Sequence, residues 1–395
     1  MAQAIKCREG GSGGGYKTIT FDLYDSLVKT SAPALSVARY YLAATTVEDY
    51  ALFGGGYGYN GSSQYYSTVD AYNTSLTRST PTALSVGRYY LAATTVGGHA
   101  LFVGGDNGDP LSTVDAYAAK LERYNLLGLS AARREPAATA VGDYALFGGG
   151  VTGSAVYYST VDAYKSNFAH STPTALSVAR AALAATAVGS YALFGGGFGS
   201  NRSTSTVDAY NTSLTRTTPT SLSSARNTLA ATTVGDYALF GGGSNDNGLS
   251  SVVDAYNSSL TRSTPTVLSV ARPNLSATTV GNYALFGGGY NNGYSSVVDA
   301  YNSSLIRSTP TALSVGRRNL AATAVGSYAL FGGGESPGSP VVDAYSDNSK
   351  TIQLYPGTKY QFSNMSSEAT SSTFQDMTLF PPISGYIKVK NTTIN

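Results

Sequence analysis

The tetrad Val-Asp-Ala-Tyr returns seven times along the chain, with its valine at 69, 114, 161, 207, 253, 298 and 342, in steps of 45, 47, 46, 46, 45 and 44 residues. No other feature constrains the fold as strongly, because each unit of such a period must be one supersecondary element that buries its apolar face against copies of itself. Two more elements keep the same beat. Leu-Phe-Gly-Gly-Gly starts at Leu52, Leu146, Leu193, Leu239, Leu285 and Leu330, with Leu101-Phe102-Val103-Gly104-Gly105 as a variant. Leu-Ser-x-x-Arg ends at Arg39, Arg88, Arg133, Arg180, Arg226, Arg272 and Arg317.

Each unit reads as four short strands, A to D: Leu-Ala-Ala-Thr-(Thr/Ala)-Val, Tyr-Ala-Leu-Phe-Gly-Gly, Thr-Val-Asp-Ala-Tyr and Ser-Leu-Thr-Arg-Ser. Val-Gly-(Asp/Ser/Asn)-Tyr between A and B is a two-residue hairpin signal. Helical periodicity is absent, and 45 glycines punctuate a chain poor in strong helix formers, so stacked helix pairs are excluded. Four strands at a period of 40 to 50 residues describe the blade of a β-propeller. The copy number predicts an all-β, seven-bladed ring of four-stranded blades.

The chain resembles the kelch family. The resemblance rests on the glycine run closing strand B, the strand-C tyrosines (Tyr72, Tyr117, Tyr164, Tyr210, Tyr256, Tyr301, Tyr345) and the arginine before strand A, and covers roughly residues 17 to 346. Kelch repeats usually carry a Trp in strand D. This chain has no Trp and shows polar pairs there, Arg78-Ser79, Arg216-Thr217, Arg262-Ser263 and Arg307-Ser308, which implies a different packing between blades. The domain reading is a Gly-rich segment at 1–16, the kelch-like propeller at 17–346, and a small β-rich module at 347–395. Phe21-Asp22-Leu23-Tyr24 reads as an eighth, diverged strand C, and residues 17–30 are expected to close the last blade and so protect sheet edges. Strand-like segments in the terminal module are Thr351–Tyr355, Lys359–Phe362 and Gly385–Lys390; docking on the ring, attachment and homo-oligomerisation are all open to it.

Against near-identical blades, variation falls in two stretches. One is the pair after the conserved arginine: Tyr40-Tyr41, Tyr89-Tyr90, Arg134-Glu135, Ala181-Ala182, Asn227-Thr228, Pro273-Asn274 and Arg318-Asn319. The other is the B–C loop, which carries Tyr57, Tyr59, Tyr65, Tyr66, Tyr157, Tyr158, Asn201, Arg202, Asn245, Tyr290, Asn291, Asn292 and Tyr294 among Gly and Ser. In an up-and-down blade the D–A connection and the B–C loop share one face, and scaffold repetition with variation on one face is the pattern of a recognition surface. Tyr supplies contact area at low entropic cost, while Ser, Gly and Asn adapt their hydrogen bonds. The bland alternative is that these are ordinary turn residues.

Other signals point to structure. The Gly-Gly-Gly runs lack the Gly-Lys-Ser/Thr and the helix of a phosphate loop. The strand-C aspartates and the repeated arginines occur in every blade, which suits a structural ladder of ion pairs. Asp106-Asn-Gly-Asp109 and Asn245-Asp-Asn-Gly248 lack the ligand spacing of a calcium loop and read as tight turns. One cysteine, Cys7, and two histidines, His99 (read in an A–B turn) and His170 (strand D), leave neither a disulfide framework nor the ligands of a copper-radical oxidase. No cofactor or metal is expected. A sugar mutarotase needs only an acid/base group near a pocket, for which Glu135 with Arg134 and Arg318 is the best set.

Charged residues make up 12%, about half the usual roughly 25%, at a formal net charge of +2, so no nucleic-acid partner is expected. No apolar run could span a bilayer and no export signal is visible. Low charge with abundant Ser, Thr, Asn, Gly and Tyr suits an extracellular β-protein. A phage or prophage tail component released by lysis reconciles the two, and the chain also resembles kelch-like proteins of phages of gut Firmicutes. The expectation is a non-enzymatic propeller in a virion that binds a host surface glycan or protein beside other tail proteins. The alternatives are a cytoplasmic kelch scaffold for a protein partner and a sugar-active enzyme.

Overall fold

The computed structural model describes residues 17–23, 27–335, 338–348, 350–354 and 387–388. It is all-β: seven four-stranded antiparallel sheets, arranged as the blades of a propeller. Blade 3 shows the plan, with A at Ala137–Val141, B at Tyr144–Gly148, C at Val161–Lys165 and D at His170–Ser171. Val141 pairs with Tyr144, so the A–B turn has two residues; Gly142 sits there at φ +53°, a left-handed value that glycine adopts without a Cβ penalty. Strand B is buried throughout its centre, with Ala145, Leu146 and Phe147 fully shielded, because it lies between A and C and between two neighbouring blades.

The A strands line the centre. Their threonines bond to one another from blade to blade, as in Thr45–Thr95 (2.8 Å), Thr186–Thr233 (2.9 Å) and Thr232–Thr279 (2.8 Å), which satisfies hydroxyls that half-burial would otherwise strand. The glycine run after strand B explains the close approach of blades. A Cβ on Gly148 would stand 2.9 Å from the ring of Phe194 in the next blade, and one on Gly149, at φ +72°, would meet the Arg180 carbonyl at 2.5 Å. Within each blade the strand-B phenylalanine meets the strand-C tyrosine edge-on, as in Phe53–Tyr72 (5.8 Å, 86°), a geometry worth about 0.5–1.5 kcal/mol beyond area burial.

A buried ion-pair ladder runs through every blade. In blade 1, Arg39 Nη2 donates to Asp70 Oδ2 (2.8 Å) and to the Phe53 carbonyl (3.1 Å), and Ser36 N–H donates to Asp70 Oδ1 (3.0 Å). Arg39 and Asp70 are both fully buried, and the same pair recurs from Arg88–Asp115 to Arg317–Asp343. The strand-D side chain reaches the same aspartate: Arg78 at 2.8 Å, Arg123 at 2.7 Å and Arg307 at 2.9 Å bring a second positive charge, and in blade 3 His170 Nε2 stands at hydrogen-bond distance, 2.7 Å. A polar side chain of the outer strand thus reaches inward to strand C. Strand D itself is shorter than its sequence pattern implies, because the leucine of Ser-Leu-Thr-Arg lies in the C–D turn, with Leu76 at φ +59°.

Ring closure differs in detail from the expectation. Blade 7 owns a complete strand C, Val342–Asp347, so the only empty seat is the outer one; Leu27–Ala32 takes it, in the order Leu27–Ala32, Val342–Asp347, Tyr328–Gly332, Ala321–Val325. Lys29 Nζ reaches Asp343 at 3.2 Å and stands where strand-D arginines stand elsewhere. The expected eighth strand C instead belongs to Lys17–Leu23, which pairs antiparallel with Lys350–Leu354, Lys17 opposite Leu354. Compactness divides the chain into Lys29–Tyr345 and a second unit of residues 1–28 and 346–395. In the second unit, Ile387–Lys388 pairs with the other edge of Lys17–Leu23. The Gly-rich segment 1–16 and the expected strand at Lys359–Phe362 lie outside the described residues. His99 opens strand B of blade 2 and does not lie in the A–B turn. Among the described residues, no helix is long and apolar enough to cross a membrane.

The ladder predicts an acid limit. Burial alone would raise the Asp115 carboxyl, but Arg88 and hydrogen bonds from Arg123 and Ser85 outweigh it and hold the group below its ordinary value of 3.8. Asp162 and Asp343 are likewise held down against burial, the first by Arg133, Ser130 and His170, the second by Ser314, Arg317 and Lys29. These carboxylates add stability above the unfolded-state pKa and lose it as pH falls through their folded-state values. The urea midpoint is therefore expected to hold steady down to about pH 4 and to drop steeply below it. A midpoint that is flat from pH 7 to pH 2 would contradict the ladder's role.

Candidate functional site

The two variable stretches meet on one face. The first residue after each Leu-Ser-x-x-Arg arginine pairs with the first residue after the glycine run: Tyr40 with Tyr57, Tyr89 with Asp106, Arg134 with Val151, Ala181 with Phe198, Asn227 with Ser244 and Arg318 with Glu335. In blade 6, Tyr290 N–H donates to the Pro273 carbonyl (3.1 Å). The backbone at these positions is thus as regular as the scaffold, and only the side chains change.

The second residue of each pair forms a girdle at the channel mouth. Backbone N–H groups donate from Glu135 to Tyr90, Tyr90 to Tyr41, Tyr41 to Asn319, Asn319 to Asn274, Asn274 to Thr228 and Thr228 to Ala182, at 2.9 to 3.1 Å. All seven residues have left-handed φ, between +50° and +56°. Asn accepts this conformation readily, while Tyr, Glu and Thr do so at a cost that the linked hydrogen bonds offset. Nothing in the sequence pattern announces this girdle, because the seven residues share a backbone conformation and no side-chain chemistry.

Side chains divide the face into two halves. Over blades 1 and 2 the rings form one continuous arc: Tyr40–Tyr57 (5.3 Å), Tyr57–Tyr89 (5.4 Å), Tyr65–Tyr89 (5.6 Å, stacked at 18°), Tyr89–Tyr90 (4.8 Å) and Tyr41–Tyr90 (4.0 Å). An arginine bounds each end. Arg318 lies over Tyr290 (4.9 Å) and Tyr294 (5.7 Å), with Nε 2.8 Å from Glu335 Oε2; Arg134 lies over Tyr90 (5.9 Å), 3.3 Å from Asp106. Asn319 Nδ2 also donates to Glu335 (3.1 Å). Burial, then the Glu335 charge, pushes the Tyr40 hydroxyl up to about 12, so it stays a neutral donor at physiological pH. Burial also raises Tyr89 and Tyr90. Glu135 is pushed above the ordinary carboxylate range by burial, with Arg134 opposing and Asp106 adding.

The other expected contacts lie apart from this arc. Tyr157 pairs with Phe198 on blades 3 and 4 (6.0 Å), Tyr158 holds the loop through its backbone, and Tyr59 stands 69% exposed at a hairpin tip. Tyr66 folds over Gly58, and the exposed Arg202 sits in the short hairpin that Asn201 turns at φ +64°. Asn245 caps its own turn at Asn247 N–H, Asn291 N–H closes a turn on the Gly293 carbonyl, and Asn292 occupies that turn at φ +50°. Asn227 is committed to Ser203 (2.9 Å) and receives Thr228 and Ser244 hydroxyls. Glu135, Arg134 and Arg318 are not one constellation, since each arginine is bound to its own acid. Asp106 caps its loop at Gly108 N–H (2.8 Å), and the described residues contain no cluster of three or more metal-ligating side chains. Glu335 and Asp106, which neutralise the arginines, stand directly after the glycine run and opposite the variable pair, and that position is the sequence signal for them.

No protein-family profile and no curated protein matches the chain. Among solved structures, the one titled "Structure of YjhT" aligns with a TM-score of 0.56 at 14% identity, over 71% of this chain and all of that one. At that identity the likeness shows the propeller fold alone. The fold is common, with 610 matching chains, so function has to be argued from the face itself.

Proposed function

We propose that the chain is a divergent kelch-like recognition propeller, a non-enzymatic component of a phage or prophage tail that binds a host surface through the face carrying the D–A connections and B–C loops. The observation that carries this reading is the contrast between an ion-pair ladder repeated in every blade and a face whose side chains converge into one tyrosine arc over a regular backbone. Aromatic side chains of few rotamers, gathered on a rigid ring, are what recognition surfaces use. Commitment of Arg134 to Asp106 and of Arg318 to Glu335 speaks for binding over catalysis, because no acid–base set is assembled. The small unit containing the terminal segments would attach the ring to its particle, and many copies on one particle would multiply a weak single-site affinity.

The test is cell binding. Fluorescently labelled protein is applied to a panel of gut bacteria beside a variant with Tyr40, Tyr41, Tyr89 and Tyr90 all replaced by Ala. The variant is expected to lose binding by at least about tenfold while keeping its circular dichroism spectrum, because these rings sit outside the inter-blade cores that flank blades 1 and 2. Undiminished binding by the folded variant would remove the face from consideration.

A further inference from the structure

We propose that the tyrosine arc is built for an uncharged glycan, with the Glu135 carboxyl at the channel mouth as the group that meets its hydroxyls; this deepens the recognition reading above and rests on it.

Three observations lead there. First, charge on the arc is already balanced. The two arginines that bound it are each paired with an acid, Arg318 with Glu335 at 2.8 Å and Arg134 with Asp106 at 3.3 Å, so the positive charge that an acidic polymer would seek is already neutralised. With Glu135, the arc holds three acids against two arginines, which disfavours any anion by like-charge repulsion.

Second, the contact surface is aromatic and hydroxylic without aliphatic side chains. Of the exposed aliphatic residues, Val156 lies in the B–C loop of blade 3, Leu127 and Val178 in D–A connections and Ile306 in a C–D turn, and none of them is among the rings of the arc. A protein partner is usually anchored by large side chains in well-packed, desolvated pockets, whereas a pyranose offers a flat C–H face to a ring and hydroxyls around its rim. Tyr65, 37% exposed and stacked on Tyr89, presents such a ring at the outer end, and Tyr41 and Tyr90 present the inner end.

Third, the Glu135 carboxyl is left open to a ligand. Its backbone is pinned by the N–H to Tyr90 carbonyl bond (2.9 Å), at φ +56°, so its side chain starts from a fixed point beside Tyr90. Neighbouring polar side chains are engaged: Glu335 with Arg318 and Asn319, Asp106 with Arg134 and Gly108. The Glu135 carboxyl takes no side-chain hydrogen bond from any described residue, and the charged groups acting on it are Arg134 and Asp106. A carboxyl without a side-chain partner gains most from a hydroxyl-bearing ligand, whose hydroxyls can both donate to it and accept from it.

The experiment titrates the full chain with neutral gluco-, galacto- and manno-configured oligosaccharides, with oligogalacturonate as the acidic comparator and a lysine-rich peptide as the cationic one. At least one neutral series is expected to bind, with an affinity insensitive to added salt. Glu135→Gln and Tyr90→Ala are each expected to weaken that binding by about tenfold, while Tyr59→Ala leaves it unchanged. Tyr90→Phe, which keeps the ring, separates stacking from any loss of folding and is expected to stay within about threefold of wild type. Preference for oligogalacturonate or the peptide, no binding of any neutral series, or full affinity in Glu135→Gln would overturn the proposal. Cell binding that is lost in the four-tyrosine variant without any neutral-glycan binding would overturn only the glycan assignment. Cell binding that survives in that variant would overturn the recognition reading as well.

Discussion

Asp254→Ala is expected to cost about 3–5 kcal/mol of folding stability, from a single side chain that touches no ligand. Asp254 Oδ2 holds Arg226 at 2.7 Å, its Oδ1 accepts Ser223 N–H at 3.0 Å, and Arg262 stands 3.6 Å away. Arg226 is fully buried, and its Nε already lacks a partner, so removing the carboxylate leaves a guanidinium with only carbonyls around it. The penalty is mostly that of the stranded charge and not the intrinsic worth of the pair. Urea unfolding of Asp254→Ala beside Asp236→Ala, which alters an exposed A–B turn, separates the two; Asp236→Ala should stay within about 0.5 kcal/mol of wild type. A loss below about 1 kcal/mol for Asp254→Ala would mean that Arg226 finds water or another acceptor and that the ladder is dispensable.

Removal of residues 1–32 is expected to do still more damage, because it acts on closure of the ring as a whole. Without Leu27–Ala32, Val342–Asp347 becomes an open edge with unpaired N–H and C=O groups, and Asp343 loses Lys29. The contacts between blades 7 and 1 remain, including Gly332 against the Phe53 ring and Gly334 N–H donating to the Arg39 carbonyl (2.9 Å). The truncated ring is therefore expected to keep its β content but to melt at lower temperature and to associate through the new edge. Size-exclusion chromatography and a thermal melt check both. A monodisperse truncated chain with an unchanged melting temperature would show that the interface between blades 7 and 1 closes the ring unaided.

The blades were legible because a short repeat leaves few solutions. Alternating Ala-Ala-Thr-Thr-Val, a two-residue Gly-Asp turn and a glycine run place strands A and B to within a residue, and a buried Asp and Arg in every copy read as a ladder. Strand D was not legible in length, since Leu76 and its equivalents take a left-handed turn conformation that the apolar pattern disguises. Nor was the role of Lys17–Leu23. Its Phe-Asp-Leu-Tyr resembles a strand C, yet Val342–Asp347 already occupies that seat, and local pattern carries no information about which seat is taken.

The recognition face divides in the same way. The sequence alone determined that variation is confined to two stretches, because divergence between neighbouring copies is visible without any structure, and strand alternation dictates that both stretches share a face. Only the tertiary structure decided which of those residues act together. Tyr40, Tyr41, Tyr89 and Tyr90 become one arc, Asn227 and Asn245 are spent on local hydrogen bonds, and Arg134 and Arg318 are neutralised by Asp106 and Glu335, the residues that follow two of the glycine runs. The physical reason is ring closure. It brings Arg318 and Glu335, near the end of the repeats, beside Tyr40 and Tyr41 at their start, and contacts at that separation depend on the curvature of the whole ring.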